Sequence, residues 1–216
     1  MKREAHSQNI RNKILHTTRR LFMSQGYYNT TIRQITKECD IKIGTLYHFY
    51  KDKEDILLHI TEKIFDNASL NADKDIAPAD SCYRFVKEFI RHLRLILTDD
   101  QSTELYQVAY NSYPISKWVV EKRNERNKEL FKKYNPDFSE EDFMIRTLFI
   151  KGYMHALANE KINNRVMDFD LIIERSIRIM LNLFNIPSAE IEQALSRARA
   201  LNAVKETPHN FETWKS

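Results

Sequence analysis

Residues that interrupt helices are few in this 216-residue chain, and they stand far apart. The sequence has three glycines and five prolines, and it contains no Asn-Gly or Asp-Gly pair of the kind that marks a tight β-hairpin. The long segments between these residues carry apolar side chains at helical spacing. We therefore predict an all-α protein. Its helices are expected near residues 8–25, 31–38, 42–49, 53–73, 79–97, 102–112, 115–134, 139–162, 168–184 and 188–201.

Residues 31 to 49 have the pattern of two short helices joined by a tight turn. Thr31 and Gln34 are spaced as a capping box at the start of the first helix. Asp40 tolerates the left-handed backbone that the turn needs, although less readily than Gly does. Gly44 costs the second helix about 0.5 to 1 kcal/mol relative to Ala, which a close approach of its backbone to another surface would justify. The segment therefore predicts a helix-turn-helix that presents its second helix to DNA.

A charged group marks the start of the next predicted helix. Asp52 and Asp55 can cap that helix on either side of Lys53. The N-terminus of a helix also attracts anions, because its dipole is positive there and its first amides are unpaired. We therefore expect Lys53 and this helix start to hold a DNA phosphate.

The positive charge of the chain is concentrated near its N-terminus. The formal net charge is +4. Residues 1–60 hold 11 Lys or Arg against 6 Asp or Glu, whereas the rest of the chain holds 23 against 24. A positive surface suits a module that binds duplex DNA, since phosphate contacts supply most of the sequence-independent affinity. Chance fluctuation is the alternative explanation of this distribution.

The first sixty residues or so resemble the TetR-type bacterial transcriptional regulators, whose signature runs roughly T-x-x-x-I-A-x-x-A-G-V-S-x-G-T-L-Y-x-x-F-x-x-K-x-x-L. The upstream apolar pattern that ends in Gly26 and Tyr27 is similar to the first helix of that family. Cys39, Asp40, Lys42 and the pair Phe49 and Tyr50 depart from its pattern. The matching positions are Thr31, Ile35, Gly44, Thr45, Leu46, Tyr47 and Lys53.

The resemblance implies a three-helix helix-turn-helix domain at residues 1–52 and a ligand-binding and dimerisation bundle at residues 53–187. A C-terminal helix and tail would follow at 188–216. The family resemblance also implies a ligand-responsive regulator, here expected to be a homodimeric repressor that binds a palindromic operator in double-stranded DNA. A small apolar or amphipathic effector would release it. The alternative is an architectural or chromosome-associated DNA-binding protein on the same fold.

The residues expected at the DNA lie on and around the second short helix. Thr31, Tyr47, His48 and Lys53 would hold phosphates, whereas base edges or thymine methyl groups would face other side chains of this helix. The full set of predicted DNA-binding residues is Thr31, Arg33, Lys42, Ile43, Gly44, Thr45, Tyr47, His48 and Lys53.

The predicted helices at 139–162 and 168–184 are apolar on more than one face. A single apolar stripe is enough for a helix on the surface of a monomer. The excess therefore predicts a four-helix interface with a second copy, and members of the resembling family dimerise through their last two main helices. The alternative is that both are simply central core helices. The predicted interface residues are Leu148, Met154, Ile173, Ile177, Met180 and Phe184.

Aromatic residues with polar tips are dense between residues 83 and 134, where they could line an effector pocket or form ordinary core. A basic stripe at Arg84, Lys87, Arg91 and Arg94 is normally a solvated face. If the stripe borders the pocket, it favours an anionic ligand such as an acyl-coenzyme A thioester. The predicted ligand-binding residues are Phe89, His92, Tyr106, Tyr110, Trp118 and His155.

Other classes of protein fit the sequence poorly. We find no His cluster with metal-ligand spacing, no phosphate-binding Gly loop and no nucleophile elbow, so we expect no cofactor, no metal and no enzymatic activity. Cys39 and Cys82 are interpreted as small buried apolar residues. The polar start of the chain, and apolar runs shorter than the roughly 20 residues that span a bilayer, predict a cytoplasmic protein without a membrane partner.

Overall fold

The structure analysed is a computed structural model, and it describes residues 2–73, 80–163 and 168–203. The described residues form ten α-helices and no strand, which confirms the predicted all-α class. The predicted C-terminal tail lies outside these ranges from residue 204 onward. The helices are α1 (Lys2–Gln25), α2 (Ile32–Glu38), α3 (Ile43–Phe49), α4 (Lys53–Asp73), α5 (Ser81–Thr98), α6 (Asp100–Asn111), α7 (Tyr113–Phe131), α8 (Glu140–Ile162), α9 (Phe169–Asn182) and α10 (Ser188–Ala203).

The helix boundaries differ little from those predicted. α1 begins at Lys2 rather than near residue 8, because its polar first turns have no apolar signal to mark them. The end of the predicted seventh helix is a separate 3-10 turn (Lys132–Tyr134). This turn follows Phe131, whose backbone remains close to helical.

The first three helices pack against the start of α4 around one hydrophobic cluster. Ile14 and Phe22 of α1, Ile35 of α2 and Leu46 of α3 are fully buried there. The cluster continues through α4 and reaches α6 and α7, so it extends past residue 52. Its members beyond residue 52 include Ile56, Leu57, Ile60, Leu105, Val108 and Ile115.

A second cluster fills the bundle formed by α5 to α10. α5 lies at its centre and contacts α4, α6, α7, α8, α9 and α10. Phe131 stacks on Phe184 with ring centroids 4.5 Å apart, and Phe85 stacks on Phe89 at 5.8 Å. Cys39 and Cys82 are free and buried, as predicted.

Five of the six predicted dimer-interface residues belong to this core, so the prediction was wrong for them. Only Leu148 has a side chain at the surface, with 47% of it exposed. α8 and α9 turn their richer apolar faces inward because α5, α6, α7 and α10 of the same chain offer apolar surface there. The buried residues are Met154, Ile173, Ile177, Met180 and Phe184, each at most 4% exposed.

The apolar excess of α8 and α9 is nevertheless real, and it falls on other residues. Ile145, Leu148, Phe149 and Gly152 recur at helical spacing along one exposed stripe of α8. Phe149 is 66% exposed and is one of the largest apolar groups at the surface. The exposed apolar residues of α9 are Leu171 and Ile179.

Candidate functional site: an exposed helix-turn-helix and an adjacent cavity

The local geometry of the helix-turn-helix follows from its sequence. The Thr31 hydroxyl accepts the amide of Gln34 at 3.2 Å, and the Gln34 side chain accepts the amide of Thr31 at 2.8 Å, so the predicted capping box is present. Asp40 adopts the left-handed backbone with φ of 49°, as the turn prediction required. α3 therefore leaves α2 at a tight angle, with Leu46 buried beneath it.

The outer side of α3 is exposed. Ile43 and Tyr47 are 44% and 53% exposed, and Lys42 and His48 also lie at the surface. Among the described residues, nothing comes within 4 Å of a Cβ built on Gly44, so packing inside the chain does not explain this glycine. The predicted residue Arg33 is exposed on the neighbouring α2, and Thr45 is half-buried. These residues together form a convex surface with hydrogen-bond donors and one apolar side chain.

Lys53, predicted to hold a phosphate, has internal partners in this structure. Its Nζ donates to the backbone carbonyls of Tyr27 at 2.7 Å and Thr30 at 2.9 Å, and it lies 4.0 Å from the centroid of the Tyr27 ring. Burial lowers the pKa of this ammonium group. The cation therefore ties α4 to the loop between α1 and α2, in which the Tyr27 carbonyl also accepts the Thr30 amide at 3.2 Å.

Thr31 and the start of α4 are also occupied by internal contacts. The Thr31 hydroxyl donates its one proton to the Gln34 side chain at 2.9 Å, so it has none left for a phosphate. Asp52 accepts the amide of Asp55 at 2.8 Å, and Asp55 accepts the amide of Lys51 at 2.9 Å. Two carboxylates therefore already cap the start of α4, so its phosphate role stays a prediction.

The loop between α1 and α2 is held from its other side by α6. The Glu104 carboxylate accepts the amides of Tyr27 at 2.7 Å and Tyr28 at 3.2 Å. Gly26 has φ of 87°, and a Cβ on it would lie 2.8 Å from the same carboxylate. Glycine is therefore favoured at position 26 for two reasons: the backbone is left-handed, and the Glu104 carboxylate occupies the space of a Cβ. The loop is fixed between Lys53 and Glu104.

Tyr28 is a surface residue that the sequence reasoning missed. It is 73% exposed, on the loop just before Thr31, and its ring meets that of Tyr27 edge to face at 5.5 Å. The adjacency of two tyrosines to the predicted cap was a usable signal. Because its hydroxyl is exposed, Tyr28 can donate to a phosphate beside α2.

A cavity of about 180 Å³ lies where the helix-turn-helix domain meets the bundle. Its walls come from α1, α4, α5, α6, α7 and α8, so the first helix of the reading module is part of the wall. Most of the lining is apolar, and it includes Phe22, Leu57, Phe65, Phe85, Phe89 and Ile150.

One side of the cavity carries a network of charged groups on α5 and α7. Glu88 Oε1 accepts from Arg126 Nε at 3.0 Å and from the same guanidinium's NH2 nitrogen at 2.7 Å. Glu88 Oε2 accepts from Arg123 at 3.1 Å. Arg123 also lies 2.7 Å from Nδ1 of His92, which can accept from a guanidinium only in its neutral form. Burial, followed by the charges of Arg123 and Arg91, holds the pKa of His92 well below its usual value.

Four of the six predicted ligand residues line this cavity, namely Phe89, His92, Tyr106 and Tyr110. Trp118 and His155 do not. Trp118 packs edge to face on Phe65 at 5.4 Å, and His155 stacks on Tyr110 at 5.6 Å, so each supports a lining residue from behind. The prediction was wrong for these two because helical spacing does not distinguish a lining residue from its neighbour in the next layer.

Tyr106 and Tyr110 of the cavity wall are buried side chains that carry polar hydroxyl groups. The rings of Tyr106 and Tyr110 stack at 4.2 Å. Burial raises the pKa of both phenols, so they are neutral hydrogen-bond donors at ordinary pH. Within the described part of the chain, the Tyr106 hydroxyl is buried and has no partner of normal hydrogen-bond geometry.

The basic stripe on α5 is not the solvated face that its spacing would normally indicate. Arg84 is 8% exposed and lies 3.9 Å from Glu129, and burial lowers the pKa of Arg91. The sequence reasoning also missed Glu88 and Arg123, which contribute charge to the cavity. No local pattern announces them, because 35 residues separate the two.

The residues described give no indication of a metal centre or a membrane span. Among them, no group of three or more His, Cys, Asp or Glu side chains could hold a metal ion. Of the helices that the structure describes, none combines the length and the apolar character needed to cross a bilayer.

Comparison with known proteins places residues 14–60 in the family described as "Bacterial regulatory proteins, tetR family". The chain is 39% identical over 56 residues to the "HTH-type transcriptional regulator HbdR" of Aromatoleum sp. (strain CIB), a match that covers 26% of this chain but only 24% of that relative.

Two further similarities extend over most of the chain. It is 30% identical over 165 residues to the "Biofilm operon icaADBC HTH-type negative transcriptional regulator IcaR" of Staphylococcus epidermidis, covering 70% of this chain and 86% of that protein. The structure of RolR in complex with resorcinol superposes with a TM-score of 0.64 at 20% identity, covering 90% of this chain and 96% of that one. The chain therefore belongs to the TetR family of bacterial transcriptional regulators, which are helix-turn-helix proteins and not enzymes.

Proposed function

We propose that the protein is a homodimeric repressor that binds a roughly palindromic operator and is released by a small effector. Its relative IcaR is a negative transcriptional regulator by name, and RolR, which shares the fold, was solved with the small molecule resorcinol. The domain division at residues 52 and 187 is part of this proposal.

DNA recognition is assigned to the exposed side of α3. Lys42, Ile43 and Thr45 would meet base edges or thymine methyl groups, and the bare backbone at Gly44 would allow α3 to approach the groove closely. Tyr47 and His48 would contact phosphates, with Arg33 beside them on α2. Two copies of α3 would enter successive major grooves about 34 to 36 Å apart.

Dimerisation is assigned to the exposed apolar stripe of α8 with the outer side of α9. Ile145, Leu148 and Phe149 are 51%, 47% and 66% exposed on α8, which is unusual for apolar groups of this size in one row. Gly152 continues the row and has no described atom within 4 Å of a built Cβ, so a second helix can approach closely there. A four-helix interface would cover this surface, with Leu171 and Ile179 at its edge.

The observation that carries the effector part of the proposal is the shared wall of the cavity. α1 contributes Phe22 and α6 contributes Tyr106 to the same cavity, while Glu104 of α6 holds the loop that follows α1. A molecule that pushes on α6 would therefore move the loop and the attached α2 and α3. α4, which we expected from sequence to carry the signal, also lines the cavity and holds the same loop through Lys53.

The test of DNA recognition compares three variants by fluorescence anisotropy on a promoter fragment and on a random duplex. Lys42→Ala should weaken binding to the promoter fragment more than binding to the random duplex, and it should reduce the slope of log K against log salt by less than the roughly 0.9 expected for a lost phosphate contact. Thr45→Ala should weaken binding to the promoter fragment more than binding to the random duplex. Lys133→Ala, an exposed cation beyond α7, is the matched control and should change neither. Equal losses on the two duplexes for Thr45→Ala contradict its assignment to base reading.

A further inference from the structure

The charges that line the cavity do not balance. Among the described residues, the lining contains the cations Arg19, Arg123 and Lys151 and the single carboxylate Glu88. His92 faces the same space and is neutral, because burial and the neighbouring guanidinium groups lower its pKa. A cavity with this lining favours an anion over a neutral molecule and disfavours a cation.

Glu88 does not cancel the positive charge, because it is shared. Its two oxygens accept hydrogen bonds from both Arg126 and Arg123, so one negative charge serves two guanidinium groups. Arg126 has Glu129 as a second acidic partner at 2.8 Å. Arg123 has instead the neutral His92, so it remains the less compensated of the two cations. Three quarters of its side chain are covered, which weakens solvent screening there.

Arg123 also lies where the polar and aromatic walls meet. Its guanidinium carbon is 4.3 Å from the centroid of the Phe65 ring. The Tyr106 hydroxyl lines the same cavity and has no hydrogen-bond partner of normal geometry among the described residues. A planar guanidinium and a phenol are donors suited to a carboxylate, whereas the adjoining rings suit a flat apolar body.

The volume limits the size of the occupant. A cavity of about 150 Å³ lined by apolar side chains is known to admit benzene. The cavity here is about 180 Å³, which leaves room for one ring and a small substituent. The cavity is partly open to solvent, so an acyl-coenzyme A, the anionic ligand considered from the sequence, would have to leave most of its length outside it.

We propose that the cavity binds a small carboxylate with a single aromatic ring, with the carboxylate on Arg123 and Tyr106 and the ring among Phe65, Phe89 and Phe22. This inference rests on the proposed regulator function, since it names the chemical class of the effector. It adds two requirements on the ligand that the apolar lining alone does not impose: a negative charge and the size of a single ring.

The test is isothermal titration calorimetry of the full-length protein with three probes at constant pH and salt. Benzoate is the proposed class, benzamide is its neutral analogue of the same shape, and decanoate is an anion too long for the cavity. Benzoate should bind at least about tenfold more tightly than either of the others, because a charge-assisted contact is about twice as strong as a neutral one. Equal affinity for benzamide overturns the charge requirement, and tighter binding of decanoate overturns the size requirement.

Variants at Arg123 locate the contact. Arg123→Gln should reduce the preference for benzoate over benzamide to within about twofold. Arg123→Lys keeps the charge beside Glu88 but lacks the planar fork, and it should retain part of the preference even if the Gln variant does not fold. Lys133→Gln, far from the cavity, is the control and should retain all of it. An unchanged preference in a folded Arg123 variant overturns the assignment.

The same preparation separates this inference from the proposed function. Wild-type protein that binds its promoter fragment but binds benzoate no better than benzamide overturns the ligand class alone. Protein that prefers benzoate but ignores the promoter fragment at low salt overturns the regulator proposal and leaves the cavity assignment standing.

Discussion

Replacing Glu104 by Ala is expected to release the loop that connects α1 to the helix-turn-helix. Glu104 accepts the amides of Tyr27 at 2.7 Å and Tyr28 at 3.2 Å. A hydrogen bond to a charged group contributes about 1.5 to 3 kcal/mol. Two such bonds would sum to about 3 to 6 kcal/mol, but because Glu104 is half-buried and the second bond is long, we expect a smaller loss of about 2 kcal/mol in the free energy of unfolding.

The measurement combines urea unfolding with hydrogen exchange at the two amides. Exchange at Tyr27 and Tyr28 should accelerate in Glu104→Ala, whereas amides in the centre of α5 should change only as much as global stability does. Glu104→Gln keeps one carbonyl acceptor without the charge, and it should lose about 1 kcal/mol. Glu121→Gln is the control. It removes an exposed carboxylate that lies 3.9 Å from Lys117, and the loss should be about 0 to 1 kcal/mol, as for other surface pairs.

The variant also tests the path from the cavity to the DNA. If the loop transmits the movement of α6, benzoate should no longer change the affinity of Glu104→Ala for the promoter fragment. The affinity of this variant for benzoate itself should stay within about twofold of wild type. Unchanged exchange at Tyr27 and Tyr28 in a folded Glu104→Ala variant refutes the stabilising role of the contact. If benzoate changes the promoter affinity of Glu104→Ala as much as that of wild type, the Glu104 contact has no role in coupling.

Three further outcomes are expected. Lys53→Met should lower the free energy of unfolding by about 2 kcal/mol, since two carbonyls lose a charged donor. The salt slope of DNA binding should stay unchanged. A slope reduced by about 0.9 would identify Lys53 as a phosphate contact. Phe149→Glu should yield monomers in sedimentation equilibrium, whereas Lys133→Glu should not; a dimeric Phe149→Glu protein excludes the α8 stripe as the interface. His92 has a pKa below its usual 6.5, so the folded state takes up its proton less readily than the unfolded state, and stability should fall as the pH drops below about 6.5. His92→Gln should flatten that part of the urea-midpoint profile, and an identical profile would contradict this attribution.

Much of the local structure was predictable because its causes lie within a few residues of one another. The capping box of Thr31 and Gln34 needs only three-residue spacing, and the turn at Asp40 needs one residue that tolerates positive φ. Both are present in the structure. The exposed position of α3 followed for the same reason, since its apolar residue Leu46 faces inward and its polar residues face out.

The division of each long helix between core and surface was harder to predict. α8 is apolar on several faces, and periodicity alone cannot say which face meets the rest of the chain. Met154 became core and Phe149 became surface because α5, α6 and α7 pack against α8 and leave its outer side uncovered. The choice depends on the positions of the neighbouring helices, which the sequence of α8 does not contain.

Long-range polar contacts were decided by the tertiary structure alone. Glu104 meets Tyr27 across 77 residues, and Glu88 meets Arg123 across 35. Lys53 was assigned to a phosphate from local spacing, but its Nζ donates to the carbonyls of Tyr27 and Thr30, which only the folded chain brings near. By itself the sequence determined the helices, their caps and the exposed reading helix, because those depend on neighbours along the chain. The pairing of buried charges and the shape of the cavity depend on which helices pack together, so only the tertiary structure decided them.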